Sequence, residues 1–127
     1  MELPKKILTR TNPNDVFSKL MEILSYTKVA HMTAINKSYS EHMALGDLYE
    51  SLDSKIDKLT ETYAGKYSTP NFTFSLYKSN SPVDYLKKSV GYIESNQNVF
   101  KETFLLNQID EIVSDLYHCI YKLDYLK

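Results

Sequence analysis

Four side chains able to ligate a metal ion fall in one stretch of this chain: His31, His42, Asp57 and Glu61. They include two of the three histidines in the sequence. Imidazole together with carboxylate suits iron, zinc or manganese. Asp53, Asp57 and Glu61 are spaced i, i+4, i+8, so a helix carries them on one stripe, with His42 on the same side. The pattern indicates a metal site.

The composition favours one helical domain. The chain has 127 residues, enough to bury a core, and we treat 1–127 as a single domain with residues 1–11 as a short N-terminal arm. Only 3 Gly and 4 Pro occur, while Leu, Ile, Lys and Glu are frequent, which favours helix over strand. The net charge of -1 argues against a protein that coats nucleic acid with its whole surface.

Location is expected to be cytoplasmic and reducing. The one cysteine, Cys119, has no partner for an internal disulfide. The first residues lack the apolar segment of a signal peptide. No apolar run approaches the ~20 residues needed to cross a bilayer, so no membrane association is predicted.

The first helix is predicted from about Pro13 to Ile35. Asn12 suits the capping position, Pro13 the first helical position and Asp15 the positive end of the helix dipole. Apolar residues then recur at helical spacing.

The second helix is predicted from Ser38, which forms a capping box with Glu41, to Ala64, with Gly65 as its stop. Its apolar stripe is Leu45, Leu48, Leu52, Ile56, Leu59 and Tyr63. A short join to the first helix predicts antiparallel neighbours.

The second half of the chain predicts a long connection and two more helices. Residues 66–80 lack helical period, and their alternating aromatic residues suggest a short extended piece on the bundle surface. Ser81 begins a third helix, and a fourth runs from about Lys101 to Leu126. We read His118 and Cys119 as packing residues. Two short joins with a long middle connection predict an all-α, ferritin-like four-helix bundle with a crossover between the second and third helices.

Helical angles place the carboxylates opposite the leucine stripe of the second helix. At ~100° per residue, with His42 at zero, Asp53 lies near ~20°, Asp57 near ~60° and Glu61 near ~100°. The leucine stripe centres near ~275°. The stripe therefore faces away from the core, and a neighbouring subunit would have to complete a metal site there. A solvated helix face gives the same pattern, and that alternative stays open.

These residues resemble a known family. The run from His31 through His42, Asp57 and Glu61 to Gly65 is similar to the mini-ferritins, the DNA-binding proteins from starved cells. In that family one histidine ends the first helix, a second opens the next helix, and an Asp-x-x-x-Glu pair follows. The spacings of fifteen residues from His42 to Asp57 and four to Glu61 match.

The resemblance implies a function and an assembly. The family binds ferrous iron (Fe2+) between two subunits at a two-fold interface, oxidises it to Fe3+, often with hydrogen peroxide, and stores it inside a hollow dodecamer. For this chain it implies an iron or other divalent metal site made by His31, His42, Asp57 and Glu61, with Asp53 as a partial substitute ligand. It also implies a homo-oligomer, and weak DNA binding by the arm residues Lys5, Lys6 and Arg10.

The chain departs from the family pattern at three places. His31 lies eleven residues before His42 where the family has twelve, and Met32 replaces a tryptophan. The bridging aspartate of the family falls on Gly46, and Asp47 is rotated by ~100° from that position. Fewer ligands predict weaker binding or one ion in place of two.

Three hypotheses follow. The first is a mini-ferritin-like ferroxidase and iron store. The second is a ferritin-like structural or DNA-associated assembly, of phage origin for example, that has lost ferroxidase activity. The third is a helical interaction protein that converged on the pattern.

Overall fold

The computed structural model describes residues 11–34 and 38–127. Over these residues the chain forms four α-helices and no strand: α1 (Pro13–Thr33), α2 (Tyr39–Lys66), α3 (Pro82–Asn96) and α4 (Thr103–Tyr125), with a 3-10 turn at Gln97–Val99. The prediction of an all-α, four-helix chain is confirmed. The charged residues of the predicted arm and Ile35 lie outside the described residues.

The first three helices begin where the capping residues predict. The caps are Asn12, Ser38 and Ser81, whose side-chain oxygens accept from the backbone N–H three residues on at 3.3, 3.2 and 3.3 Å. The return bond of a full capping box forms at Asn12, whose N–H donates to Asp15 Oδ2 at 3.0 Å. At Ser38, where the box was predicted, the described residues show only the serine half.

The prediction that Gly65 stops α2 was wrong. The helix runs through Gly65 to Lys66, and Tyr67 caps it with its N–H on the Tyr63 carbonyl at 2.8 Å. A glycine ends a helix by taking a left-handed conformation. No described glycine has a positive φ, so Gly65 continues the helical backbone.

The four helices pack around one core. Helix α1 contacts α2 and α3, and α4 contacts the same two helices. The apolar stripes of α2 and α4 are the faces they bury: Leu45, Leu48, Leu52, Ile56, Leu59, Leu105, Ile109, Ile112, Leu116, Ile120 and Leu123. None of the described helices is long and apolar enough to cross a membrane.

The connection between α2 and α3 lies along α1 and contains no strand, although an extended piece was expected. Three hydrogen bonds join it to α1 in the same chain order: Asn71 to Asn14 (3.0 Å), Thr73 to Ser18 (2.8 Å) and Ser79 to Tyr26 (3.1 Å). Its exposed residues include Phe72, whose ring meets Phe17 edge-on at 6.1 Å between centroids. The segment from Asn71 to Ser79 therefore follows α1 from its start toward its end.

Helix α3 runs opposite to α1. Tyr85 near the start of α3 packs against Tyr26 near the end of α1, with ring centroids 3.9 Å apart. Later in α3, the centre of the Tyr92 ring lies 5.8 Å from Nζ of Lys19, which comes earlier in α1 than Tyr26. The Tyr85 hydroxyl donates to Glu22 Oε1 at 2.7 Å, and burial raises the pKa of this tyrosine. The phenol therefore stays protonated and keeps α1 and α3 joined.

The substitution Tyr26→Phe tests the attachment of the connection to α1. It removes the hydrogen bond to the Ser79 carbonyl and leaves the ring in place, so we expect the free energy of unfolding to fall by about 1 kcal/mol. Tyr125→Phe, at a tyrosine that is 75% exposed, is the matched control and is expected to change nothing. Urea unfolding measures both, and equal effects would contradict this attachment.

Candidate metal-binding face

His31 at the end of α1 and His42 near the start of α2 form a stacked pair. Their ring centroids are 4.0 Å apart and the planes differ by 16°. The Nδ1 of His31 donates to the His42 carbonyl at 2.7 Å, and the Nδ1 of His42 donates to the His31 carbonyl at 2.9 Å. Because a carbonyl oxygen only accepts, both Nδ1 atoms carry hydrogen, and each uncharged ring keeps a lone pair on Nε2.

Gly46 makes room for this pair. A Cβ added at Gly46 would lie 2.7 Å from Cε1 and 2.9 Å from Nδ1 of His31. The φ of Gly46 is not positive, so its backbone conformation does not demand glycine. Space is the remaining reason, because the His31 ring rests directly on the backbone of α2 at this position.

Each imidazole of the pair can bind a metal ion separately, through its Nε2 atom. Metal-bound histidines usually donate their other ring N–H to a carbonyl or carboxylate, which is the arrangement both rings already have. The lone pair of each Nε2 lies in its ring plane, and the two planes are nearly parallel. One ion at ~2.1 Å cannot lie in both planes, so the rings as placed do not chelate an ion together.

The predicted carboxylate ligands lie on the exposed face of α2. Asp53, Asp57 and Glu61 are all exposed, as the helical angles predict. None of them is in an ion pair within the described part of the chain. From His42 to Asp57 the helix rises by ~22 Å, because each residue adds ~1.5 Å. A single subunit therefore keeps its imidazoles and these carboxylates apart.

No metal cluster forms inside one subunit among residues 11–34 and 38–127. Over these ranges no group of three His, Cys, Asp or Glu side chains comes close enough to hold an ion.

A shallow cavity of about 250 Å³ opens beside the imidazole pair, lined in part by His31, Met43, Gly46 and Glu50. At its edge Lys28 Nζ lies 4.6 Å from the centre of the Tyr49 ring. No sequence motif predicts this contact, because Lys28 and Tyr49 belong to different helices.

Asp47 lines the cavity beside the imidazole pair and also reaches toward α4. Its Oδ2 lies 3.5 Å from Lys122 Nζ on α4. This carboxylate is therefore shared between the cavity and the seam that α2 forms with α4.

The seam between α2 and α4 holds a polar network that sequence patterns did not reveal. Asp115 Oδ2 accepts from Ser51 Oγ at 2.5 Å and from Lys55 Nζ at 2.7 Å. Cys119 is buried there, as predicted, and its thiol donates to a backbone carbonyl at 3.6 Å. His118 was also predicted to be a packing residue, but it is exposed, and its ring stacks on the Tyr121 ring. Among the residues that the structure describes, the seam brings together no group of three side chains able to hold a metal ion.

The pair Gly46→Ala and Gly91→Ala tests the steric role of Gly46. Gly91 has open space around it, so alanine there is expected to stabilise its helix by about 1 kcal/mol. Alanine at Gly46 is expected to destabilise the protein by about 1–3 kcal/mol, because the His31 ring must move. In a His31→Ala background the cost at Gly46 should vanish. Thermal and urea unfolding measure the free energy of unfolding of each variant. If Gly46→Ala destabilises the His31→Ala protein as much as it destabilises wild type, the steric role of Gly46 is contradicted.

The reactivity of Cys119 tests the seam. Burial raises the pKa of the Cys119 thiol to about 12, so at pH 8 the thiolate is scarce. We expect negligible reaction with a disulfide reagent in native protein and full reaction in urea. Rapid labelling of the native chain at pH 8 would show that the α2–α4 seam is open.

Comparison with known proteins gives one family. No curated protein and no solved structure matches the chain. The sequence model of a family of unknown function (DUF5856) matches residues 31–123, a span that begins at His31 and includes His42, Gly46 and the acidic stripe. Since the match covers more than half of the chain, this chain belongs to the family of unknown function DUF5856.

Proposed function

We propose that this chain is a mini-ferritin-like protein that binds and oxidises ferrous iron between two subunits and stores it in a hollow homo-oligomer. The proposed fold is a ferritin-like bundle whose connection crosses between α2 and α3. The proposed metal ligands are His31 and His42 of one subunit, each acting as a single nitrogen ligand to its own ion, with Asp57 and Glu61 of another subunit and Asp53 as an additional carboxylate.

The course of the connection supports the ferritin-like topology. α2 begins beside the end of α1, because His42 stacks on His31. α3 also begins near the end of α1, because Tyr85 packs on Tyr26. α2 and α3 therefore point the same way, and the connection must travel the length of α1 between them. A simple up-down-up-down bundle has short loops and alternating directions instead.

One observation carries the proposal: on α2, His42 lies near the start of the helix, and the exposed pair Asp57 and Glu61 lies toward its other end. Two copies of α2 that pair antiparallel about a two-fold axis bring the His42 end of each to the Asp57–Glu61 end of the other. A two-fold axis makes such contacts twice by symmetry. This pairing gives each site nitrogen and oxygen ligands that one subunit cannot assemble.

The chemistry follows from the ligand types. Nε2 of an uncharged imidazole and carboxylate oxygen both bind ferrous iron. The carboxylates carry negative charge, which favours the ferric product once each ion has given one electron to the oxidant. The oxidant we propose is hydrogen peroxide, one molecule of which takes one electron from each of two ferrous ions and, with two protons, is reduced to two molecules of water.

The second candidate is a structural or DNA-associated assembly without ferroxidase activity. The observation that favours it is Gly46, because position 46 itself supplies no carboxylate and the His31 ring fills the space beside it. Weak DNA contact by Lys5, Lys6 and Arg10 belongs to this proposal as well, although these residues lie outside the described part of the chain.

Solution mass and iron oxidation together separate the candidates. The proposal predicts a large homo-oligomer, a dodecamer by the family resemblance, and ferric absorbance after ferrous iron and peroxide are added. An intact oligomer that binds and oxidises no iron would favour the structural assembly. A monomeric mass would favour the helical interaction protein and contradict both assemblies.

The substitution Glu61→Ala tests the carboxylate ligand. We expect the rate of ferric absorbance to fall by about tenfold or more, because an oxygen ligand is lost at the metal. Glu111→Ala, at an exposed glutamate of α4, is the matched control and should oxidise iron at the wild-type rate. Unchanged kinetics in Glu61→Ala, with the oligomer intact, would contradict the assigned site.

A further inference from the structure

We propose that Gly46 is a positioning residue that sets the metal preference of this face, by giving the place of a carboxylate side chain to the His31 imidazole. The inference rests on the proposed metal site and goes beyond it. It predicts that the site prefers divalent ions that favour nitrogen, such as Zn2+, over ions that favour oxygen, such as Mn2+.

The first step is steric. The His31 ring and a side chain at position 46 compete for one space, because a Cβ there would lie 2.7 Å from His31 Cε1. Two contacts hold the His31 ring in this space: the 2.7 Å hydrogen bond from its Nδ1 to the His42 carbonyl and its stacking on the His42 ring. Moving the ring would break both contacts. Any side chain at position 46 therefore displaces the imidazole.

The second step concerns the donor atoms. With glycine at position 46, the cavity beside α2 presents His31 and keeps its Nε2 lone pair free, because the backbone carbonyl holds the proton on Nδ1. With aspartate at position 46, the same space would present carboxylate oxygen. Imidazole suits zinc, copper, iron and nickel, whereas carboxylate suits magnesium, calcium and manganese. Position 46 thus exchanges nitrogen for oxygen.

The third step concerns the other carboxylates on the same face. Glu50 and Asp47 also line the cavity, and Asp47 Oδ2 lies 3.5 Å from Lys122 Nζ. The three atoms nearest to a Cβ added at Gly46 all belong to His31, so His31 is the side chain that a group at position 46 displaces. Glu50 and Asp47 are the same in wild type and in every position-46 variant, so a difference in metal preference between them reports the exchange at position 46.

The test has a readout that needs no metal. Long-range 1H–15N spectra of the metal-free protein report which ring nitrogen of each histidine carries hydrogen. Wild type should show the Nδ1–H form for His31 and His42, with exposed His118 as an internal reference. Gly46→Asp should abolish the fixed form of His31, and Gly91→Asp, which adds the same side chain in open space, should leave it intact.

The second readout is titration with Zn2+ alone and Mn2+ alone. Gly46→Asp is expected to lower the Zn2+-to-Mn2+ affinity ratio by about tenfold relative to wild type and to Gly91→Asp. Since Gly46→Asp risks unfolding, the double substitution His31→Ala with Gly46→Asp removes the clash, and it should show the same lowered ratio.

The outcomes distinguish this inference from the function it rests on. If wild type binds Zn2+ and both position-46 variants keep the wild-type Zn2+-to-Mn2+ affinity ratio, the proposed role of Gly46 is wrong and the proposed metal site is unaffected. If folded Gly46→Asp protein still shows only the Nδ1–H form of His31, the proposed role of Gly46 is also wrong. Wild type that binds neither ion overturns the metal site and this inference together.

Discussion

The reciprocal hydrogen bonds between His31 and His42 are the constraint on which the rest of this structure depends. Each ring donates to the backbone carbonyl of the other residue, so the end of α1 and the start of α2 are held in register. The same bonds fix where the hydrogen sits on each ring and leave Nε2 free. The arrangement requires Gly46, because the His31 ring occupies the space above it. One contact therefore sets both a helix junction and a pair of potential ligands.

That junction also orients the outward face of α2. The leucine stripe is buried against α1 and α4, so the opposite stripe with Asp53, Asp57 and Glu61 is exposed. His42 lies near the start of this helix, and Asp57 and Glu61 lie toward its other end. The metal site that we propose therefore needs a second copy of α2, and the proposed assembly and the proposed chemistry depend on the same interface.

Much of the fold was predictable from local chemistry. Asn12, Ser38 and Ser81 cap the first three helices as their side chains require, and the 3.6-residue period located the buried stripes. The end of α2 was not predictable, because Gly65 stops a helix only where the chain turns left-handed. The exposure of His118 was not predicted, because an imidazole is found both in cores and on surfaces. Its position around α4 relative to the buried stripe decides which of the two occurs.

The exposure of the candidate carboxylates was predictable from the sequence, but the geometry of the imidazole pair was not. Spacing along one helix showed that Asp57 and Glu61 share a face, which the structure bears out. The stacking of His31 on His42 depends on how two helices meet, and no single-helix pattern contains it. For the same reason Gly46 read as a missing ligand in the sequence. In the structure it is the residue that lets the imidazole approach the backbone of α2.

Complementation between two inactive variants tests the central claim most directly. His42→Ala and Glu61→Ala each break every shared site when expressed alone. Co-expressed in equal amounts, they pair at random, and about a quarter of the sites receive an intact His42 from one subunit and an intact Glu61 from the other. We expect mixed oligomers of wild-type mass to oxidise ferrous iron at about a quarter of the wild-type rate. No recovery in mixed oligomers of confirmed composition would contradict a site shared between subunits.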